Sequence, residues 1–305
     1  MSASRRTFLK NTGLALAGSI VLSNQIFGRE KSAELLGIQL YSVRDDMKKD
    51  PAATLKQLAA MGYKNVEHAN YVNRKFYGYS ASEFKKVLDD LGLKMPSGHT
   101  VMSAKNWDES KKDFTDEWKQ TVEDAATAGQ QYVVSPWLDE SLRKNYDDLV
   151  RFLQLFNKCG ELCKKSGMKF GYHNHNFEFM YSLNNMLIYD IILANTDPAL
   201  VAHQLDMGNM YGAGGRANEI IKKHPGRFEL MHVKDEIKVA GKGEMEDGYE
   251  STVLGKGVIP VKEILDLAKK SGGTTQFIIE QESYQAKTPL ESAKEDLDIM
   301  KKWGY

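Results

Sequence analysis

The chain is expected to fold as a closed (β/α)8 barrel, a single α/β domain, and three features of its 305 residues predict this. Short apolar segments recur eight times. Most open on a glycine and end on a polar residue, and amphipathic stretches of helical period separate them. The segments begin with "LLGIQLYS" from Leu35, "GYKNVEH" from Gly62, "GLKMPSGH" from Gly92 and "GQQYVVSPW" from Gly129. They continue with "GMKFGYHNH" from Gly167, "ALVAHQLDMG" from Ala199, "GRFELMHVKD" from Gly226 and "GTTQFIIEQE" from Gly273. Between them, "DPAATLKQLAAMG" carries Leu55, Leu58 and Ala59 at helical spacing, with Gly62 where a helix C-cap belongs. "SASEFKKVLDDLG" puts Phe84, Val87, Leu88 and Leu91 on one face, with Ser80 or Ser82 as N-cap. Alternating strands and helices imply a parallel sheet, and eight such units imply that it closes. A doubly wound open sheet fits less well, because no G-x-G-x-x-G follows the first strand.

The barrel is expected to occupy residues 33–305. Residues 1–32 read as a signal and linker: Arg5-Arg6, then Phe8-Leu9-Lys10, then a weakly apolar run from Gly13 to Leu22. This looks like a bacterial twin-arginine export signal, which predicts a periplasmic or otherwise exported protein. The run is short for a membrane span, so no membrane contact is expected beyond an uncleaved signal tether. Lys and Arg together number 41, as do Asp and Glu, and this balance argues against a nucleic-acid partner. Cys159 and Cys163, the only cysteines, sit four apart on an expected helix and read as small buried side chains.

In a barrel of this kind chemistry gathers where the strands end. Those ends read Gln39, Glu67 with His68, His99, Ser135 with Trp137, His173 with His175, Asp206, His232 with Lys234, and Glu280 with Glu282. Five of the seven histidines fall among them. Asp206, His232 and Glu280 are the residue types that hold one divalent cation, and without one their carboxylates would repel each other. Trp137 offers a face on which a sugar ring can stack. The stretch "GAGGR" from Gly212 reads as a strand-to-helix loop, and the glycine-rich, charged segment 235–257 as a lid or a subunit contact.

Taken together, "GIQLYSVRDDM", "YHNHNFEF", "QLDMGN", "FELMHVKD", "LGKGVIP" and "FIIEQE" resemble the sugar phosphate isomerase/epimerase family. These are the xylose isomerase-like barrels that also include endonuclease IV, tagatose and psicose 3-epimerases and inosose dehydratases. The resemblance implies one divalent metal (Mn, Zn, Co or Mg) held by Asp206, His232, Glu280 and a ligand from the fifth strand. Relatives place a glutamate there. Here the position falls on His173, with Glu178 as the alternative. The family's common step is removal of a proton next to a carbonyl to give an enediolate. His175, His99 and Glu178 are the candidate acid–base groups and Lys234 the electrostatic partner. Gln39, Glu67, Trp137 and Glu282 are assigned to the substrate. The expected activity is isomerisation or epimerisation of an unphosphorylated sugar or keto-sugar. The alternatives are elimination of a β-substituent from a keto-sugar, keto-inositol or keto-glycoside, and a sugar-binding barrel without turnover. A homo-oligomer is compatible with the resemblance.

Overall fold

The structure is a computed structural model that describes residues 36–242, 248–271 and 273–305. The expected signal therefore lies outside the described residues, as does part of the segment read as a lid. Eight parallel strands close on themselves: β1 (Leu36–Gln39), β2 (Asn65–His68), β3 (Lys94–His99), β4 (Tyr132–Ser135), β5 (Lys169–His173), β6 (Val201–Asp206), β7 (Phe228–Val233) and β8 (Gln276–Ile279). The register that joins β8 back to β1 pairs Leu36 with Phe277 and Ile38 with Ile279. One principal helix follows each strand: α1 (Pro51–Met61), α2 (Ala81–Asp90), α3 (Asp116–Thr127), α4 (Tyr146–Lys165), α5 (Ile188–Asn195), α6 (Ala217–Lys223), α7 (Val261–Ser271) and α8 (Pro289–Trp303). The (β/α)8 barrel predicted by the sequence is the fold observed.

The local chemistry that starts and stops these helices is plain. Gly62 closes α1 at φ 108°, a left-handed conformation that a side chain would strain. Of the two candidate caps for α2, Ser80 is the one used, in a reciprocal capping box with Glu83. Cys159 and Cys163 are buried on α4, and the Trp118 indole N–H points at Cys159 Sγ at 3.2 Å. Among the described residues, no helix is long and apolar enough to cross a membrane.

Two large apolar clusters lie between the sheet and the helices, one around Leu55, Phe84 and Leu265, the other around Phe152, Phe156 and Phe170. A smaller cluster of Tyr132, Val134, Ala202, Leu230 and Ile278 fills the barrel interior. Because strand side chains alternate, the interior rows can be followed upward from that plug. Ala202 is followed by Gln204 and Asp206, Leu230 by His232 and Lys234, and Ile278 by Glu280 and Glu282. The interior thus changes from apolar to charged within two residues, toward the C-terminal mouth. His68 points the other way, edge-on to Phe76 at 4.8 Å. Gly98 makes room for it, since a Cβ there would lie 1.9 Å from the His68 ring.

Away from the mouth, Asp296 on α8 is buried and accepts the Leu254 N–H at 2.9 Å. Burial pushes its carboxyl from 3.8 up to about 7. The unfolded chain loses this proton near the ordinary aspartate value, and the folded chain only near neutrality. The group therefore favours folding at acid pH, and that advantage disappears as pH rises through the window, by on the order of 4 kcal/mol. Asp296→Asn keeps the acceptor and removes the charge. Its stability relative to wild type, read from urea midpoints, is expected to climb by up to that amount between about pH 4 and about pH 7. A difference that stays flat with pH would show that Asp296 does not carry this proton.

Candidate active site

At the mouth the sequence motif "YHNH" divides its labour. β5 ends at His173, whose ring enters the barrel. Asn174 turns aside and clips β5 to β6: its Oδ1 accepts the Asp206 N–H at 2.9 Å and its Nδ2 donates to the Asp206 carbonyl at 3.2 Å. His175, beyond the strand, lines the open cavity. That cavity is about 410 Å³ and is walled by His99, Trp137, His173, His175, Glu280 and Glu282, among others.

Beneath it, polar side chains from six strands form one buried network. Glu67 is its hub. Its Oε1 accepts from Gln39 Nε2 at 2.7 Å and His232 Nε2 at 2.6 Å, and its Oε2 from Ser97 Oγ at 2.5 Å and Gln204 Nε2 at 2.8 Å. Gln204 Oε1 in turn lies 2.7 Å from His99 Nε2 and 2.9 Å from His173 Nδ1. A carbonyl oxygen only accepts, so both rings must present N–H there. That fixes the His173 tautomer and leaves its Nε2 as a bare lone pair.

The bare nitrogen lies 3.9 Å from Asp206 Oδ2. Asp206 Oδ1 is occupied by the N–H groups of Gly208 and Asn209, both at 2.8 Å, whereas Oδ2 makes no hydrogen bond and meets only the Lys234 ammonium, at 3.2 Å. His232 Nδ1 is 3.8 Å from the same oxygen and 3.0 Å from Glu280 Oε2. Buried lone pairs converging on one point call for a cation. Asp206, His232 and Glu280 form one candidate metal group, and His99, His173 and His232 a second that shares His232. Two imidazoles and two carboxylates (His173, His232, Asp206, Glu280) suit a divalent ion of the Zn, Mn or Co type. Glu67 behind His232 is the carboxylate that orients a ligating ring.

The electrostatics follow from the packing. Burial opposes charge on His232, yet Glu280 and Glu67 on its two sides raise it to about 10. Glu67 is likewise buried, but His99 and His232 hold it well below the usual carboxylate range. For Asp206 burial prevails and its carboxyl is pushed up, while Lys234 and His232 keep Glu280 low against its own burial. Lys234 is buried as well, and its ammonium stays charged between Asp206, Glu280 at 2.9 Å and Glu282 at 2.6 Å. Its stem passes over Gly208, where a Cβ would come within 2.4 Å of Lys234 Cδ. Burial, and then Lys234, lower His175 to about 4, so its ring is neutral, and its Nδ1 has no hydrogen-bond partner among the described residues.

Three sequence expectations are placed differently. Gln39 and Glu67, assigned to substrate hydroxyls, lie below the cavity with their polar atoms committed to the network, where they position His232. Glu178, a candidate acid–base group and the alternative fifth-strand ligand, is buried behind β5. Its Oε1 accepts the Tyr172 hydroxyl at 2.5 Å and its Oε2 the His175 N–H at 3.0 Å. Tyr172 alternates with His173 and faces outward, so Glu178 follows it away from the mouth. The "GAGGR" stretch behaves as a loop: Arg216 stacks on Tyr211 and donates to the Gly215 carbonyl. In the segment expected as a lid, Asp235–Lys238 pairs with Tyr249–Thr252 as a hairpin.

Sequence reasoning missed Asn174, Gln204, Ser97 and Asp235. Asp235 accepts the N–H groups of Glu236, Gly255, Gly257 and Ile259, and so organises the "LGKGVIP" loop. A Cβ at Gly257 would collide with it at 2.2 Å. For Ser97 and Gln204 the available signal was a polar residue at every second position of a strand, in step with His99 and Asp206.

A (β/α)8 barrel with a candidate metal centre at its C-terminal mouth defines a class of enzyme. Within it, the chain belongs to the xylose isomerase-like TIM barrel family, whose model matches residues 55–303. It is similar to the inosose dehydratase of Bacillus licheniformis, at 28% identity over 56% of this chain and 61% of that one. The inosose dehydratase of Geobacillus thermodenitrificans is 24% identical, over 75% of this chain and 80% of its own. The chain thus spans about 61% of the length of the first of these relatives. A sugar phosphate isomerase/epimerase from Parabacteroides distasonis superimposes with a TM-score of 0.72 at 26% identity, covering 87% of this chain and 92% of that one. The fold of the IolI protein solved with a zinc atom also matches, with a TM-score of 0.66 at 15% identity over 88% of this chain and 97% of that one.

The network predicts how metal binding responds to substitution. Protein purified without chelator is expected to hold about one divalent ion per chain, and Asp206→Ala to hold none. Glu67→Gln leaves every ligand in place but removes the carboxylate charge behind His232, and should weaken the metal about 10- to 100-fold. Plasma emission and chelator competition measure both. Equal metal affinity in the Glu67→Gln protein would remove Glu67 from this role.

Proposed function

We propose that the protein is a divalent-metal-dependent carbon–oxygen lyase that eliminates water or another β-substituent from an unphosphorylated ring ketone of the keto-inositol, keto-sugar or keto-glycoside class. The observation that carries this reading is the withdrawal of Glu178 behind β5. The fifth strand then presents imidazoles to the cavity and no carboxylate. The two-carboxylate proton exchange that the resemblance implies for epimerases lacks one partner. Elimination needs one base and one acid. The relatives named inosose dehydratase support the same direction. The twin-arginine-like stretch favours a substrate met outside the cytoplasm and without phosphate.

A divalent ion held by His173, Asp206, His232 and Glu280 would supply Lewis-acid polarisation of the ketone. The chain's own groups do the rest. Neutral His175, whose ring lines the cavity, accepts the proton from the carbon next to the carbonyl. The Lys234 ammonium offsets the negative charge that develops on the enediolate oxygens. As the carbon–carbon double bond forms, the β carbon–oxygen bond breaks. The departing hydroxyl takes the proton that His175 has accepted and leaves as water, so one imidazole serves as base and then as acid. Trp137, set edge-on to His175 at 5.4 Å, and Glu282 border the bound ring.

The test is incubation of metal-loaded protein with an inosose in deuterated water, followed by mass spectrometry and NMR. Loss of one water is the expected result. Deuterium at the α carbon with the water retained would mean isomerase or epimerase chemistry, which the Parabacteroides neighbour's name also fits. Neither change, with the ligand bound, would leave a binding barrel. His175→Ala should lower kcat by about 10²- to 10⁴-fold, and Lys234→Met by about 10²- to 10³-fold. Wild-type turnover in both variants would refute these roles.

A further inference from the structure

A second cavity, of about 510 Å³, adjoins the first. Tyr41 and Ala69 line both, so the two form one continuous trough with Tyr41 at its waist. Beyond that waist the lining is mixed: Arg44, Asp45, Lys48 and Asn70 supply polar groups, and Met47, Pro51 and the Tyr77 ring apolar surface. Each cavity alone falls within the size range of a small-molecule site. One pyranose or cyclitol ring at the candidate metal centre would leave the second cavity empty.

Tyr41 is 43% exposed, high for a tyrosine, yet it is not loose. Its N–H donates to Gln39 Oε1 at 3.2 Å, and the Arg44 guanidinium lies 4.7 Å from its ring centroid. Arg44 is itself held by the Tyr284 hydroxyl at 2.8 Å and the Glu282 carbonyl at 3.1 Å. Across the mouth Trp137, 42% exposed, is propped in the same manner by Arg143 at 4.5 Å. Arg143 in turn donates to the Leu138 carbonyl. Two rigid aromatic faces thus stand exposed over a wet trough. That arrangement suits saccharide rings, whose C–H faces lie on aromatics while their hydroxyls reach polar side chains. Asp45, Lys48 and Asn70 make no side-chain hydrogen bond among the described residues, so their polar atoms are free for such hydroxyls.

We propose that the trough is a two-ring site: the natural substrate is a disaccharide or a glycoside, with the reacting ring at the candidate metal centre and the second ring over Tyr41 against Asp45, Lys48 and Asn70. This deepens the elimination reading and rests on it only for the fate of the first ring. The experiment is titration calorimetry of the full metal-loaded chain with glucose, cellobiose, maltose and trehalose. At least one disaccharide should bind about tenfold or more tightly than glucose. Tyr41→Ala should carry the disaccharide-to-glucose affinity ratio most of the way to one. Asp45→Ala and Asn70→Ala, both at exposed positions that line only the second cavity, should each lower that ratio and guard against a folding defect at Tyr41. Disaccharides binding no tighter than glucose, or a preference intact in all three variants, would overturn the proposal. Because the readout is binding, a disaccharide preference without elimination would sink the lyase reading alone. Elimination from single-ring ketones with no preference would sink the two-ring site alone.

Discussion

The structure depends on keeping several charges inside a barrel without leaving any of them alone. Glu67, His232, Glu280, Asp206 and Lys234 are all buried, and each is within ion-pair distance of a group of opposite sign. Isolated burial of any one would cost far more than a single interaction can return. The sequence of contacts from Glu67 through His232 to Glu280, and on through Lys234 to Asp206, alternates negative and positive. It can be maintained only if each strand delivers its residue at the right height.

That requirement explains features at some distance from the mouth. The apolar plug of Tyr132, Val134, Ala202, Leu230 and Ile278 sets the floor on which the charged layer rests. Asn174 ties the ends of β5 and β6 together, which fixes His173 against Asp206. Gly208 and Gly257 are small because Lys234 and Asp235 pass through the space a side chain would fill. The charged layer leaves one deliberate imbalance: an aspartate oxygen without a hydrogen bond, faced by an imidazole lone pair. In a layer otherwise so fully paired, that oxygen, met by the Lys234 ammonium alone, marks the candidate place for a divalent ion.

The cavity above this layer is built on a different principle. Its floor is charged and rigid, but its rim is aromatic and half exposed, with Tyr41 and Trp137 each stiffened by an arginine. Rigid aromatic faces lose little freedom on meeting a ligand, and so contribute contact area at small entropic cost. In the proposed reading the floor supplies reactivity and the rim recognition, and the two are carried on different segments. Strand ends hold the first and the turns after β1 and β4 hold the second, so substrate range can change without disturbing the charged network.

Much of this was legible in the linear chain. The eight strands, the glycine stops, the closing of the sheet, the convergence of Asp206, His232 and Glu280 and the place of Trp137 at the rim follow from periodicity and from where polar residues end apolar runs. Those signals are local, set by the period of two in a strand and by backbone conformations that only certain residues adopt. Tertiary structure alone decided which polar residues face the cavity and which support it. Gln39 and Glu67 sit only one interior layer below the mouth, and no sequence signal distinguishes that layer from the next. Glu178 lies three residues past His175, but its direction is set by Tyr172 on the opposite face of β5. The pairing of His173 Nε2 with the unbonded oxygen of Asp206 depends on Gln204 fixing a tautomer from a neighbouring strand. Such choices are made by contacts between residues far apart in the chain, where the sequence states which groups are present but not which of them will meet.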